Sequence, residues 1–113
     1  MSYDFYKYHE FIPTHERVRD GAFWLDFQYP GWAEKINGPS IESKTECILC
    51  QVTGIPDWKI AKQHLGLEQD DSVMYGFEKM QCYESGGELI TDSYEDLDVS
   101  WLKEINRRTQ APK

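Results

Sequence analysis

The thiols and imidazoles of this sequence, which could ligate a metal or act as nucleophile or proton carrier, are Cys47, Cys50, Cys82, His9, His15 and His64. The tightest grouping is Cys47-x-x-Cys50, with His64 and Cys82 further along the chain. Thiolate and imidazole are ligands Zn²⁺ prefers, so a Cys3His centre is the metal chemistry these residues offer. The two residues between the cysteines, Ile48 and Leu49, favour burial. On a strand, positions three apart point to opposite faces and cannot reach one ion. The cysteines therefore read as small buried thiols, and neither a metal nor another cofactor is expected. As a redox dithiol the pair lacks a neighbouring cation or helix N-terminus that would lower a thiol pKa.

His9-Glu10 and His15-Glu16 place imidazole beside carboxylate, the minimum for general acid–base work. Adjacent residues rarely face one another, however. No nucleophile-elbow glycines, phosphate loop or His-Glu-x-x-His motif accompanies them. The chain reads as non-enzymatic. The alternative is a small metal-dependent or acid–base enzyme using His64 with the cysteines or nearby carboxylates.

Charge is distributed unevenly. The segment from Glu68 to Asp98 holds ten acidic residues and one base, Lys79, a net of −9, whereas the other 82 residues sum to +1. Such a patch steers a partner of opposite sign and repels nucleic acid and anionic lipid. Aromatic residues are interleaved with the acids, and they supply the buried anchors of binding surfaces. Glu84, Glu88, Asp92, Glu95 and Asp96 are the candidate steering residues, with Tyr83 and Tyr94 as anchors; Trp101 is assigned to the core. Alternate strand residues recur at about 6.6–6.8 Å, so a row of carboxylates could take the places of backbone phosphates.

The function these features suggest is a small acidic interaction protein that binds and inhibits a basic protein surface, such as that of a nuclease or another nucleic-acid-binding protein. Immunity proteins and phage-type inhibitors share this profile, with nucleic-acid mimicry as a special case. No direct contact with nucleic acid and no membrane is expected. The competing explanation is that the acids only solvate the protein and deter edge-to-edge association.

The elements that must position these residues follow from local patterning. Phe23, Leu25, Phe27 and Tyr29 alternate with Trp24, Asp26 and Gln28, which predicts a strand. Tyr29-Pro30-Gly31-Trp32 predicts a type II turn, and Asn37-Gly38-Pro39 a second turn, leaving Trp32 to Ile36 as a short strand or link. Glu46 to Thr53 fits a strand through Ile48, Cys50 and Val52, and also a helix after a Ser43-to-Glu46 capping box; its β-branched content favours the strand. Pro56, Asp57, Trp58, Ile60, Ala61, Leu65 and Gly66 predict a short helix.

Val73 to Glu84 and Glu88 to Tyr94 read as a β-hairpin turning at Ser85-Gly86-Gly87, with a bulge near Glu78 and Lys79. After Asp96 and Asp98, the stripe Trp101, Leu102 and Ile105 followed by Arg107-Arg108 predicts a terminal helix. The aromatic N-terminal stretch (Tyr3, Phe5, Tyr6, Tyr8, Phe11) has no clean period, and Thr14 to Arg19 could hold a turn of helix. Together these predict an α+β fold: an antiparallel sheet with a C-terminal β-hairpin and two helices packed on one face.

At 113 residues, the chain is read as a single acidic α+β domain over 1–113, with 109–113 as a frayed tail. The longest apolar run falls far short of the roughly 20 residues that span a bilayer. No basic-then-apolar leader is apparent and the cysteine count is odd and small, so a cytoplasmic location with reduced thiols is expected. A further alternative is a helix-turn-helix DNA-binding regulator over Glu46 to Leu65, with Gly54 at the turn. That helix would offer a duplex only Lys59, Lys62 and Gln63.

Overall fold

The structure, a computed structural model, describes residues 10–38, 47–83 and 88–110, with the backbone alone of Tyr83. In chain order these form α1 (Thr14–Gln28), a 3-10 turn (Trp32–Lys35), α2 (Ile48–Thr53), α3 (Trp58–His64) and α4 (Gln69–Met74). The strands β1 (Gln81–Tyr83) and β2 (Leu89–Thr91) follow, and α5 (Tyr94–Thr109) comes last. The expected α+β architecture is corrected to a mostly helical fold whose sheet, among the described residues, is one short antiparallel ladder.

The strand expected at Phe23 to Tyr29 is instead the second half of α1. Val18, Ala22 and Leu25 recur at helical spacing and have no exposed surface, while Phe23 and Phe27 are 53% and 86% exposed. A period that buries a full stripe over fifteen residues outweighs a seven-residue alternation whose two phenylalanines face water. The helix begins after Pro13, whose carbonyl accepts from Glu16 N and Arg17 N at 3.1 and 3.2 Å. It ends in the expected type II turn: Trp32 N donates to the Tyr29 carbonyl at 2.9 Å and Gly31 has φ +83°. Beyond that turn, Trp32–Lys35 is a 3-10 turn and not a strand.

The stretch expected as a strand at Glu46 to Thr53 is likewise helical over Ile48–Thr53, where Ile48, Leu49, Cys50 and Val52 are all buried. A strand would have put Leu49 on the face opposite Ile48, Cys50 and Val52; as a short helix the segment buries all four. The Ser43-to-Glu46 capping box lies outside the described residues. In α3 the acid expected at the N-terminal end is the cap, so Pro56 lies before the helix: Asp57 Oδ1 accepts from Lys59 N at 3.0 Å and Ile60 N at 3.1 Å.

Among the described residues, the long hairpin expected from Val73 to Tyr94 has three residue pairs, with Cys82 opposite Ile90, and its Ser85-Gly86-Gly87 turn lies outside them. Val73 belongs to α4, which opens on a reciprocal Glu68–Asp71 capping box. It closes with Gly76 N on the Val73 carbonyl (3.1 Å) and Phe77 N on the Ser72 carbonyl (2.9 Å). This is a Schellman end with Gly76 at φ +74°. The bulge expected at Glu78 and Lys79 is thus the passage from helix to strand.

The terminal helix expected from the sequence is present as α5. It starts earlier than Asp96, because Ser93 Oγ accepts from Asp96 N (3.0 Å) while Asp96 Oδ2 accepts from Ser93 N (3.2 Å). Thr109, placed in the tail by the sequence reading, is still within the helix.

Helices α1 and α5 lie side by side and run in the same direction. Thr14 and Arg17, near the start of α1, meet Asp92 just before α5, and Asp26, near its end, meets Arg108. Between them sits Trp101, fully buried as expected of a core residue. Its ring stacks on Phe77 (5.1 Å, 15°), meets Trp32 edge-on (5.7 Å, 89°) and donates Nε1–H to the Gly76 carbonyl at 2.7 Å. Gly21 allows α1 to touch the end of α4, since a Cβ there would lie 1.9 Å from the Tyr75 carbonyl oxygen.

Candidate functional site

The acidic segment is divided by the fold into inner and outer parts. Glu68, Asp70 and Asp71 are exposed around the first turn of α4, and Glu95 and Asp96 are exposed in the first turn of α5. Acids at helix starts complement the unsatisfied N–H groups there, so sequence position alone accounts for five of the carboxylates. Glu88 is exposed just before β2. Glu78 is half-buried, accepting from Gln69 Nε2 at 3.0 Å and lying 3.5 Å from Lys62 Nζ. Glu84 and the Tyr83 side chain lie outside the described residues.

Asp92 departs most from the expectation. It was placed among the surface steering residues, but it is 4% exposed and its charge is answered by the fully buried Arg17. Asp92 Oδ1 accepts from Met80 N at 2.9 Å, and Oδ2 accepts from Thr14 Oγ1 at 3.0 Å and from Arg17 Nη2. The guanidinium also donates from Nε to the Ile12 carbonyl (3.1 Å) and from Nη1 to the carbonyls of Val73 (2.8 Å) and Glu78 (3.1 Å).

A buried charge is tolerated when it is paired and its hydrogen-bonding capacity is filled. Here one ion pair ties the start of α1 to the end of α4, the approach to β1 and the segment leading into α5. The sequence reading missed Arg17. The available signal was its place in the helical window with Val18, Gly21, Ala22 and Leu25, but its partner is 75 residues away.

Tyr94, the other proposed anchor, is partly buried against the core, and the Lys79 ammonium stands 4.5 Å from its ring centroid. The single base of the acidic segment thus covers the aromatic face nearest the exposed carboxylates. Among the described residues, Glu88, Glu95 and Asp96 are what the fold leaves exposed of the expected acidic edge.

The far end of α5 has the opposite sign. Arg108 grips Asp26 with two bonds, Nε to Oδ1 and Nη2 to Oδ2, both 2.8 Å, and donates from Nη1 to Glu104 Oε1 at 2.8 Å. Trp32 Nε1 adds a 2.9 Å bond to Asp26. The Arg108 bond holds the Asp26 carboxyl below the usual carboxylate range; burial opposes that shift and the Trp32 bond reinforces it. Alongside, α1 and α5 border a groove of about 270 Å³ lined by His15, Arg19, Ser100, Lys103, Glu104 and Arg107.

The cysteines and histidines do not assemble into a metal centre: among the described residues, no group of three or more His, Cys, Asp or Glu side chains is placed to hold an ion. His64 is exposed at the end of α3, and Cys82 is buried in β1. Cys47 and Cys50, expected on opposite faces of a strand, are instead neighbours across the first turn of α2 with their sulfurs 3.1 Å apart. Two short helices, α2 and α3, do follow one another within the expected helix-turn-helix span, with Gly54 at φ +77° between them. Lys62 of α3, however, lies against Trp58 and donates to Gln69, so Lys59 and Gln63 are what that helix exposes of the cluster expected to meet a duplex.

No family model, curated protein or solved structure matches this chain, so its functional reading rests on its own residues.

Proposed function

We propose that this protein is a cytoplasmic, non-enzymatic binding protein that offers the acidic start of α5 to a basic surface on another protein. By occupying the cations a nucleic-acid-binding partner uses for phosphate, it would inhibit that partner, as immunity proteins and phage-type inhibitors do. The supporting observation is the run from Glu88 to Asp98, which contains five acids and no Lys or Arg and keeps Glu88, Glu95 and Asp96 exposed after Asp92 is drawn inside. Unscreened carboxylates on a water-facing helix start act at a distance, raising encounter rates with a cationic partner. Among the described residues of the hairpin no strand-spaced row of carboxylates occurs, so the proposal rests on local charge. No helix among the described residues is long and apolar enough to cross a membrane.

The test uses the double variant Glu88→Lys/Glu95→Lys, which leaves Asp96 to cap α5. A partner is isolated at low salt with the wild-type protein, and association is measured by stopped flow at several salt concentrations. Association with the variant is expected to slow on the order of tenfold at low salt, with a flatter salt dependence. Equal rates for the two proteins overturn the proposal. Salt-dependent binding of duplex DNA by the wild type would move the assignment to the α2–α3 element.

A further inference from the structure

We propose that Cys47 and Cys50 form a reversible dithiol–disulfide pair within one chain. Their sulfurs are 3.1 Å apart, and a disulfide requires about 2.05 Å. About one ångström of approach separates the sulfurs from a bond, and Cys47 is the extended N-cap of α2 (φ −66°, ψ 168°), so it is not held at the Cβ spacing of two residues inside a regular helix. The backbone is already set on both sides: Gln51 N donates to the Cys47 carbonyl at 3.0 Å and Gly54 N to the Cys50 carbonyl at 2.8 Å. Both thiols are buried, at 6% and 3% exposure. Each sulfur thus has the other beside it, while a protein thiol from another chain is excluded.

Burial, reinforced by the hydrogen bond the protonated Cys50 thiol can give to the Cys47 sulfur, pushes Cys50 up to about 12. Cys50 therefore stays protonated at neutral pH, which assigns it the second step. In the first step Cys47, having released its proton to solvent, attacks one sulfur of a low-molecular-weight disulfide such as oxidised glutathione. One thiolate leaves and is protonated. In the second step Cys50 loses its proton to solvent, its sulfur displaces the remaining small thiolate from Cys47, and that thiolate is protonated in turn. The two protein thiols are oxidised to one disulfide and the small disulfide is reduced to two thiols, so electrons and protons balance. Access is through the first turn of α2, a six-residue helix whose N-cap, Cys47, makes no side-chain capping bond. Local opening of such a turn requires far less than global unfolding.

The experiment equilibrates the folded full chain with graded ratios of reduced to oxidised glutathione. The mixture is quenched in acid, the protein unfolded, the remaining thiols alkylated and the products mapped by mass spectrometry. The expected product has lost two hydrogens, with Cys47 and Cys50 linked and Cys82 alkylated. Alkylation of both Cys47 and Cys50 across the whole series overturns the proposal, as does pairing of either with Cys82 or with a second chain. In Cys50→Ser, a stable glutathione adduct on Cys47 is expected. If instead the variant collects no adduct while the folded wild type forms the bond, the assigned order of attack is wrong. The wild-type mapping stands without the variant should Cys50→Ser fail to fold.

Discussion

Each end of the parallel α1–α5 pair is closed by an arginine and an aspartate, but the two closures are built differently. At the leading end, Arg17 and Asp92 are sealed from water, and the guanidinium also satisfies three backbone carbonyls from separate segments. At the trailing end, Arg108 and Asp26 make the better-shaped bidentate contact, yet Asp26's side chain is 40% exposed. Water competes with the second pair and screens it, whereas the first is sealed where water cannot replace the charge of a removed member. The same two residue types act as an internal junction at one end and as a surface latch at the other. An acid in the sequence is therefore not yet an acid on the surface: Asp92 contributes to the net charge and nothing to the face a partner would meet.

Arg17→Met is the severest test of this contrast. Leaving Asp92 buried and unpaired is expected to cost about 3–5 kcal/mol in urea unfolding. The double variant Arg17→Met/Asp92→Leu removes both charges but leaves the carbonyls of Ile12, Val73 and Glu78 without that donor, so it should remain well below wild type. Recovery of full stability would show that the junction is only an ion pair and would erase the distinction between the two ends.

Gly21→Ala probes the tight packing beside the junction. A methyl group against the Tyr75 carbonyl forces α1 and the end of α4 apart, with an expected loss of about 1–3 kcal/mol. A neutral result would mean that this end is as yielding as the other.

The smallest effect belongs to the latch. Arg108→Ala should cost about 1 kcal/mol or less and should cost less still at high salt. Because Asp26 is held below its ordinary value, its contribution is full above the unfolded carboxyl pKa and is lost as pH falls through the folded one. In Asp26→Asn that part of the acid-side loss should disappear from thermal melts taken from pH 6 to pH 2. An acid dependence identical to wild type would show that the contact contributes nothing to stability.

Much of the helical punctuation was legible. The Pro30-Gly31 turn, an acid at the start of α3 and the terminal helix needed only local rules and are present, although of the expected stripe Trp101 and Ile105 are buried while Leu102 is 45% exposed. The capping box at Glu68 and Asp71 and the terminating Gly76 were equally local, but the alternation of Val73, Tyr75 and Phe77 hid them. That alternation arises because a helix end and the extended chain after it happen to place three apolar residues two apart. The same ambiguity misplaced Phe23 to Tyr29, where the exposed Phe23 and Phe27 imitate the buried face of a strand. Ile48, Leu49, Cys50 and Val52 were ambiguous for another reason: a short segment buried on every side has no polar face to reveal its period.

The candidate site was legible in charge and not in placement. The sequence by itself determined that the acids concentrate between Glu68 and Asp98, that helix starts attract several of them, and that Trp101 belongs to the core. Only the tertiary structure decided which carboxylates reach water, that Arg17 claims Asp92, and that Cys47 and Cys50 touch. Composition, caps and turns are set by neighbours a few residues apart, whereas burial and ion pairing depend on segments some 75 residues apart packing together, and no local pattern records that partner.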